Sequence, residues 1–177
     1  MTIDLVTQKI ISAYQTLLSR DSYLFAVGAN ERSMTHKLAE YLQAEFPEWN
    51  VDCEYNKNQY DEKVLTTWEE RRDELISTLE TEITERRRNL ILKILDGGVS
   101  VYPDIIIHHR GTNDNLAVLE AKKTDFPEAD DHDEEKLLAY LTEPGLKYKS
   151  AYKVMFPSGE NALKNFDITN GVKQIFV

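Results

Sequence analysis

Asp104, Glu120 and Lys122 are the residues of this 177-residue chain whose types and spacing can do chemistry. Pro103-Asp104 is followed, after a connecting segment, by Glu120-Ala121-Lys122. Two carboxylates held near each other supply hard oxygen ligands for Mg²⁺, which keeps several waters and accepts oxygens from a substrate phosphate. Such an ion is a Lewis acid toward phosphate and lowers the pKa of a bound water. An ammonium beside it orients the attacking hydroxide or stabilises charge building on the phosphoryl group. The set suits phosphodiester hydrolysis. Taken alone, Glu-x-Lys is common, and an ordinary surface ion pair of small energetic worth would explain it.

The surrounding elements are what raise the triple above that bland explanation. Val99 to Tyr102 leads into Asp104-Ile105-Ile106-Ile107, a β-branched run expected to be a buried strand. Arg110-Gly111-Thr112-Asn113-Asp114-Asn115 is rich in turn residues, and Leu116-Ala117-Val118-Leu119 opens a second strand. Alternation along that strand puts Glu120 and Lys122 on one face, and a hairpin carries the face back beside Asp104. Upstream, Asn30 is an expected N-cap, with Met34, Leu38, Leu42 and Phe46 forming a helical apolar stripe. Glu31 sits one turn before Met34 on that stripe and should face inward, where a metal site is one way to satisfy it. A first-turn Glu favoured only by the helix dipole is the alternative.

With those residues in view, the chain resembles the PD-(D/E)xK nuclease superfamily, the fold of many restriction endonucleases and Holliday-junction resolvases. The resemblance runs from about Asn30 to Phe156. It implies an α/β fold with a restriction endonuclease-like core, a central mixed β-sheet flanked by helices. It further implies that Asp104 and Glu120 bind Mg²⁺, with Mn²⁺ as a substitute, joined by the Ala121 carbonyl. Lys122 becomes the catalytic lysine, and Glu31 a further catalytic and metal-binding carboxylate. The implied activity is that of a DNA endonuclease.

The rest of the chain is read as one domain of residues 1–177. A first helix should run from Ile3 to about Leu18, and a first core strand from Asn50 to Tyr55. Between that strand and the Asp104 strand lies an insertion, Glu62 to Leu95, without Gly or Pro and with Leu65, Trp68, Leu75, Leu79, Ile83, Leu90 and Leu95 at near-helical spacing. It should be one long helix or a helical hairpin. Its apolar positions suggest a packing surface or a homodimer contact, two-fold dimers being the commonest homo-oligomers. Arg86-Arg87-Arg88 is read as a solvated helix face. Asp125 to Glu135 reads as a solvated acidic loop before a helix from about Asp133 to Leu141, in which Lys136 and Tyr140 point together at the site. Asp130, Asp131, His132 and Asp133 are taken as a solubilising run. Strands are expected at Tyr152 to Phe156 and Val172 to Val177.

Cys53 is the lone cysteine, which excludes an intrachain disulfide and a Cys-based zinc site. His36, His108, His109 and His132 match no zinc spacing. There is no signal peptide or apolar run long enough for a membrane, so the cytoplasm is the default location. The formal net charge of −10 sits awkwardly with DNA binding. Either Lys122, Lys123, Arg110, Lys147, Lys149 and Lys153 form a local basic patch, or a protein partner supplies the DNA affinity. Two alternatives therefore accompany the endonuclease reading. One is a nuclease-fold binding or assembly module with weak or lost catalysis; the other is the same site acting on RNA or nucleotides.

Overall fold

The computed structural model describes residues 1–58, 61–81, 83–124, 130–158, 162–166 and 171–176. Helices α1 (Ile3–Arg20), α2 (Ser22–Ala26) and α3 (Glu31–Glu45) precede strand β1 (Asn50–Cys53). An excursion follows: the two-residue strands β2 (Lys57–Asn58), β3 (Asp61–Glu62) and β4 (Val64–Leu65), then helices α4 (Glu69–Leu79) and α5 (Glu85–Gly97) and strand β5 (Val99–Ser100). The chain then forms β6 (Ile105–His108), β7 (Asn115–Lys123), α6 (Asp130–Thr142), β8 (Ser150–Phe156), α7 (Ala162–Asn165) and β9 (Val172–Ile175). The main sheet is five-stranded in the order β1-β6-β7-β8-β9. It is mixed: β7 and β8 are parallel, and every other pair is antiparallel. A parallel neighbour needs a crossover connection, and α6 lies within it.

The two faces of the sheet carry separate cores. Alternation sends Ile105, Ile107, Ala117, Leu119, Ala121, Tyr152 and Val154 to one side, where Val6, Ile10, Tyr14 and Leu17 of α1 and Met34, Leu38 and Leu42 of α3 cover them. Ile106, Val118 and Ala151 go to the other side, beneath Leu137, Ala139 and Tyr140 of α6 and Leu65 and Val101 of the excursion. With helices on both faces, β6 is buried throughout and β7 through Ala121. This explains why both read as continuous apolar runs rather than as half-polar strands.

The excursion is a helical hairpin, not one long helix. Thr84 breaks it by capping α5, its hydroxyl accepting from the Arg87 amide. The extended backbone of Thr84 is not helical, so α5 starts afresh after it. The hairpin also begins later than the apolar spacing suggests. Leu65 pairs with Val99 in the β4–β5 ribbon and is fully buried there, and Trp68 stands at the N-cap of α4. Gly98 closes α5 at φ +86°, where any Cβ would also come within 3.0 Å of Thr66.

Other boundaries differ from the sequence expectations. β1 ends at Cys53 and β9 at Ile175, while Val177 lies outside the described residues. α6 begins at Asp130, so the acidic run 130–133 is helical and not loop; residues 125–129 lie outside the described set. Among the described residues no helix is long and apolar enough to cross a membrane.

Candidate active site

β6 and β7 form the hairpin that the turn residues foretell, with Ile105 opposite Leu119, Ile106 opposite Val118 and Ile107 opposite Ala117. One further step of that register sets Asp104 opposite Glu120. Residues directly opposite in an antiparallel pair project from the same face, so the two carboxylates share one side of the sheet, with Lys122 two residues along. A hydrogen bond fixes the corner: the Ala121 amide donates to Asp104 Oδ2 at 2.8 Å. Pro103, which the register sets opposite Ala121, precedes the first paired residue of β6, and the Asp104 side chain satisfies that amide in place of a strand neighbour.

Glu31 reaches the same strand end from the other layer. Asn30 caps α3 by accepting from the Ser33 amide, and Glu31 Oε2 accepts from the Lys123 amide at 3.2 Å. Burial raises the Glu31 pKa; Asp104 and Asp133 raise it further, while Lys122 and the Lys123 amide pull it back. Arg32 next to it pairs with Glu54 at 2.7 Å. A cleft of about 230 Å³ opens here, lined by Glu31, Arg32, Thr35, His36, Cys53, Glu54 and Asp104. Burial pushes the Cys53 thiol up to about 11, so it is not a thiolate nucleophile in this cleft.

Glu120 is the deepest member, only 4% exposed. Burial lifts its pKa to about 8, Asp104 and Asp133 add to the rise, and Lys136 opposes it. Lys136 Nζ of α6 lies 2.7 Å from Glu120 Oε1, yet off the direction a hydrogen bond needs, so that buried oxygen lacks a hydrogen-bond partner. The contact is an ion pair held by charge. Lys122 Nζ stands 3.6 Å from Asp133 Oδ2, an ion pair too long for a hydrogen bond, and that oxygen too is buried. Burial raises the Asp133 pKa, with Lys122 and Lys136 opposing.

Asp133 joins this cluster, although its sequence places it in a run expected to be solubilising. The signal was present. Asp133, Lys136, Leu137 and Tyr140 fall at helical spacing, and Leu137 and Tyr140 are fully buried against the sheet. A stripe that continues a buried face must carry Asp133 and Lys136 inward with it. Lys136 and Tyr140 do point together, the ammonium lying 5.9 Å from the ring centre.

The basic patch weighed as one alternative assembles only in part, with Lys122, Lys123 and Lys153 at one end of the sheet. Arg110 and Lys149 lie at the turn end of the hairpin, remote from Lys122, and each has a local anion. Arg110 pairs with Asp52, and Lys149 Nζ lies 2.6 Å from Asp114. His108 and His109 are likewise engaged, by Asp52 at 2.8 Å and Asp114 at 2.9 Å. Lys153 is buried opposite Glu120 on β8, 3.9 Å from Glu134. Lys123 donates to the carbonyls of Gly28 and Ala29.

The carboxylates suit a hard divalent cation. Glu120 Oε1 and Asp133 Oδ2 are buried oxygens that face ammonium groups without a well-aligned hydrogen bond, and Mg²⁺ asks only one or two carboxylates of a protein. Among the described residues no group of three or more His, Cys, Asp or Glu side chains is placed to hold a metal ion. Lysines stand among them instead. The larger cleft, about 1020 Å³ between α4 and α6, is lined by Glu69, Asp73, Glu74 and Glu135 with no cation among its described lining residues. The smaller cleft at Asp104 differs in that Arg32 and His36 stand among its carboxylates. No family model, curated protein or solved structure matches this chain.

Proposed function

We propose that the chain is a divalent-metal-dependent phosphodiester hydrolase of the PD-(D/E)xK type, acting on DNA as an endonuclease. The finer reading of the fold belongs to the same proposal: a restriction endonuclease-like core with the α4–α5 insertion between its first and second strands. The observation that carries it is the corner at the open end of the β6–β7 hairpin. There the Asp104 side chain holds the backbone of the Glu120-Ala121-Lys122 strand at 2.8 Å.

In this reading Asp104 and Glu120 hold Mg²⁺ or Mn²⁺, with Glu31 at the rim. The ion, when bound, activates water and withdraws charge from the phosphate. Lys122 reaches the same space on a rigid strand and stabilises charge on the phosphoryl oxygens. Asp104 has a second duty, because it keeps Ala121 in register and so fixes where Glu120 and Lys122 point. α3 brings Glu31 in from the opposite layer.

The acidic balance and the dispersed lysines support a second reading, a nuclease-fold module whose DNA affinity comes from a protein partner or a second copy. The α4–α5 hairpin exposes Ile76, Leu90 and Leu92 for such a contact. Cleavage assays on supercoiled, linear, branched and single-stranded DNA, and on RNA, with Mg²⁺ or Mn²⁺ test the first reading. Metal-dependent cleavage lost in Lys122→Ala supports it; cleavage that survives that change contradicts it. Light scattering at micromolar concentration tests self-association, which a single-chain mass would exclude.

A further inference from the structure

We propose that Lys136 is a built-in counter-ion that occupies the cation's place at Glu120, so that a divalent ion binds by displacing it. The inference rests on the reading of Asp104 and Glu120 as a metal site. It concerns two residues of α6 and what they do before and after the ion arrives.

α6 lies over the site with Asp133 and Lys136 one turn apart on its inner face. β7 presents Glu120 and Lys122 two residues apart on the facing side. The charges cross: Lys136 meets Glu120 at 2.7 Å, and Asp133 meets Lys122 at 3.6 Å. Each lysine is thereby set against the other element's carboxylate. All four side chains are largely covered, the most exposed being Lys122 at 30%. An ionised, buried Glu120 without its ammonium would be an uncompensated charge, and Lys136 supplies that compensation in the metal-free protein.

A divalent ion and an ammonium on one carboxylate oxygen would stand only about 4 Å apart, where their repulsion exceeds the ammonium's own attraction to that oxygen but not the ion's, so the ammonium is the one to leave. The ammonium has somewhere to go. Asp133 Oδ2 is buried and without a hydrogen-bond partner, one turn back on the same helix, at the spacing where side chains meet. The Tyr140 ring, 5.9 Å away, keeps a cation-attracting face beside that path. A shift of Lys136 from Glu120 to Asp133 also gives Asp133 a new counter-charge and frees Lys122 from it. Metal entry and the release of Lys122 toward substrate are then one event.

Calorimetric titration of Mn²⁺ into the wild type, Lys136→Gln, Lys136→Arg and Lys173→Gln tests this without any cleavage. Lys136→Gln keeps the length and a hydrogen-bonding end but removes the charge, and should bind Mn²⁺ roughly 10-fold tighter. Lys136→Arg should stay near the wild type. Lys173, which pairs with Glu134 at 2.6 Å on the same face, controls for simple loss of positive charge, and its variant should change affinity less than about 2-fold. Equal binding by Lys136→Gln and the wild type overturns the counter-ion while leaving the metal site standing. So does an equal gain in both Gln variants. Absence of Mn²⁺ binding in every protein overturns the metal site, and the counter-ion falls with it. If Lys136→Gln does not fold, the wild type still decides. Acylation of the Lys136 amine, followed by mass spectrometry, should quicken several-fold under saturating Mn²⁺. An unchanged rate overturns the displacement.

Discussion

The two ends of the β6–β7 hairpin hold similar residues in opposite electrostatic conditions. At the turn end Asp52 is buried, which alone would raise its pKa, but Arg110 and His108 more than offset this and hold it below the ordinary carboxylate range. Lys149 and His109 do the same for Asp114. At the open end burial raises Glu31, Glu120 and Asp133, and the Asp104 carboxylate raises all three further, although Lys122 and Lys136 oppose the rise. One end is electrostatically finished. The other keeps its carboxylates raised even with Lys122 and Lys136 in place, and a fold that keeps such an end does so at a cost to its own stability.

The two ends should differ most in how stability responds to pH. The folded-state pKa of Glu120 is raised, so its contribution to stability is fully present below the ordinary Glu value and is lost as pH rises through about 8. The metal-free protein should therefore lose stability from about pH 5 to about pH 9, on the order of a few kcal/mol from this group. Glu120→Gln or saturating Mg²⁺ should flatten that limb in urea titrations. Asp52 has the opposite sign. Its depressed pKa gives stability that is present above the ordinary Asp value and lost as pH falls through its folded value, so it shapes the acid limb.

Next in size is Asp52→Ala. It strips His108 and Arg110 of a largely buried partner and should cost about 3 kcal/mol in denaturant unfolding, with no change in metal affinity. Asp104 should behave differently according to the replacement. Asp104→Ala relieves carboxylate repulsion but orphans the Ala121 amide, a loss of roughly 1–3 kcal/mol. Asp104→Asn keeps an acceptor for that amide and removes the charge, so the metal-free protein should be at least as stable as the wild type. Metal binding should be lost in both. The smallest effect is Lys149→Ala, an exposed pair with Asp114, at under about 1 kcal/mol.

Much of this was legible in the sequence because local signals agreed with the tertiary demand. The turn at 110–115 and the β-branched run at 105–107 specify the hairpin, and alternation alone sets Glu120 and Lys122 on one face. Asn30 capped its helix as its type suggests. Other features depended on partners that a single segment does not reveal. Leu65 fits a helical stripe, but Val99, more than thirty positions on, claims it for a strand. The break at Thr84 rests on one hydroxyl in a stretch without Gly or Pro. Asp133 was hidden by the acids beside it, because an acidic run reads as solvated unless the buried stripe through Leu137 and Tyr140 is traced back. The lysines looked like one patch in sequence, and their dispersal follows only from the ends of the sheet at which they fall.

Cleavage of supercoiled plasmid tests the central claim most directly, with the wild type, Asp104→Asn, Lys122→Ala and Asp114→Asn compared side by side in Mg²⁺ and in chelator. The account predicts Mg²⁺-dependent nicking or linearisation by the wild type and by Asp114→Asn, whose change lies at the finished end of the hairpin. It predicts loss of at least ~100-fold in Asp104→Asn and Lys122→Ala. Cleavage that persists in both open-end variants, or a wild type inert toward every DNA and RNA substrate with either metal, would contradict it.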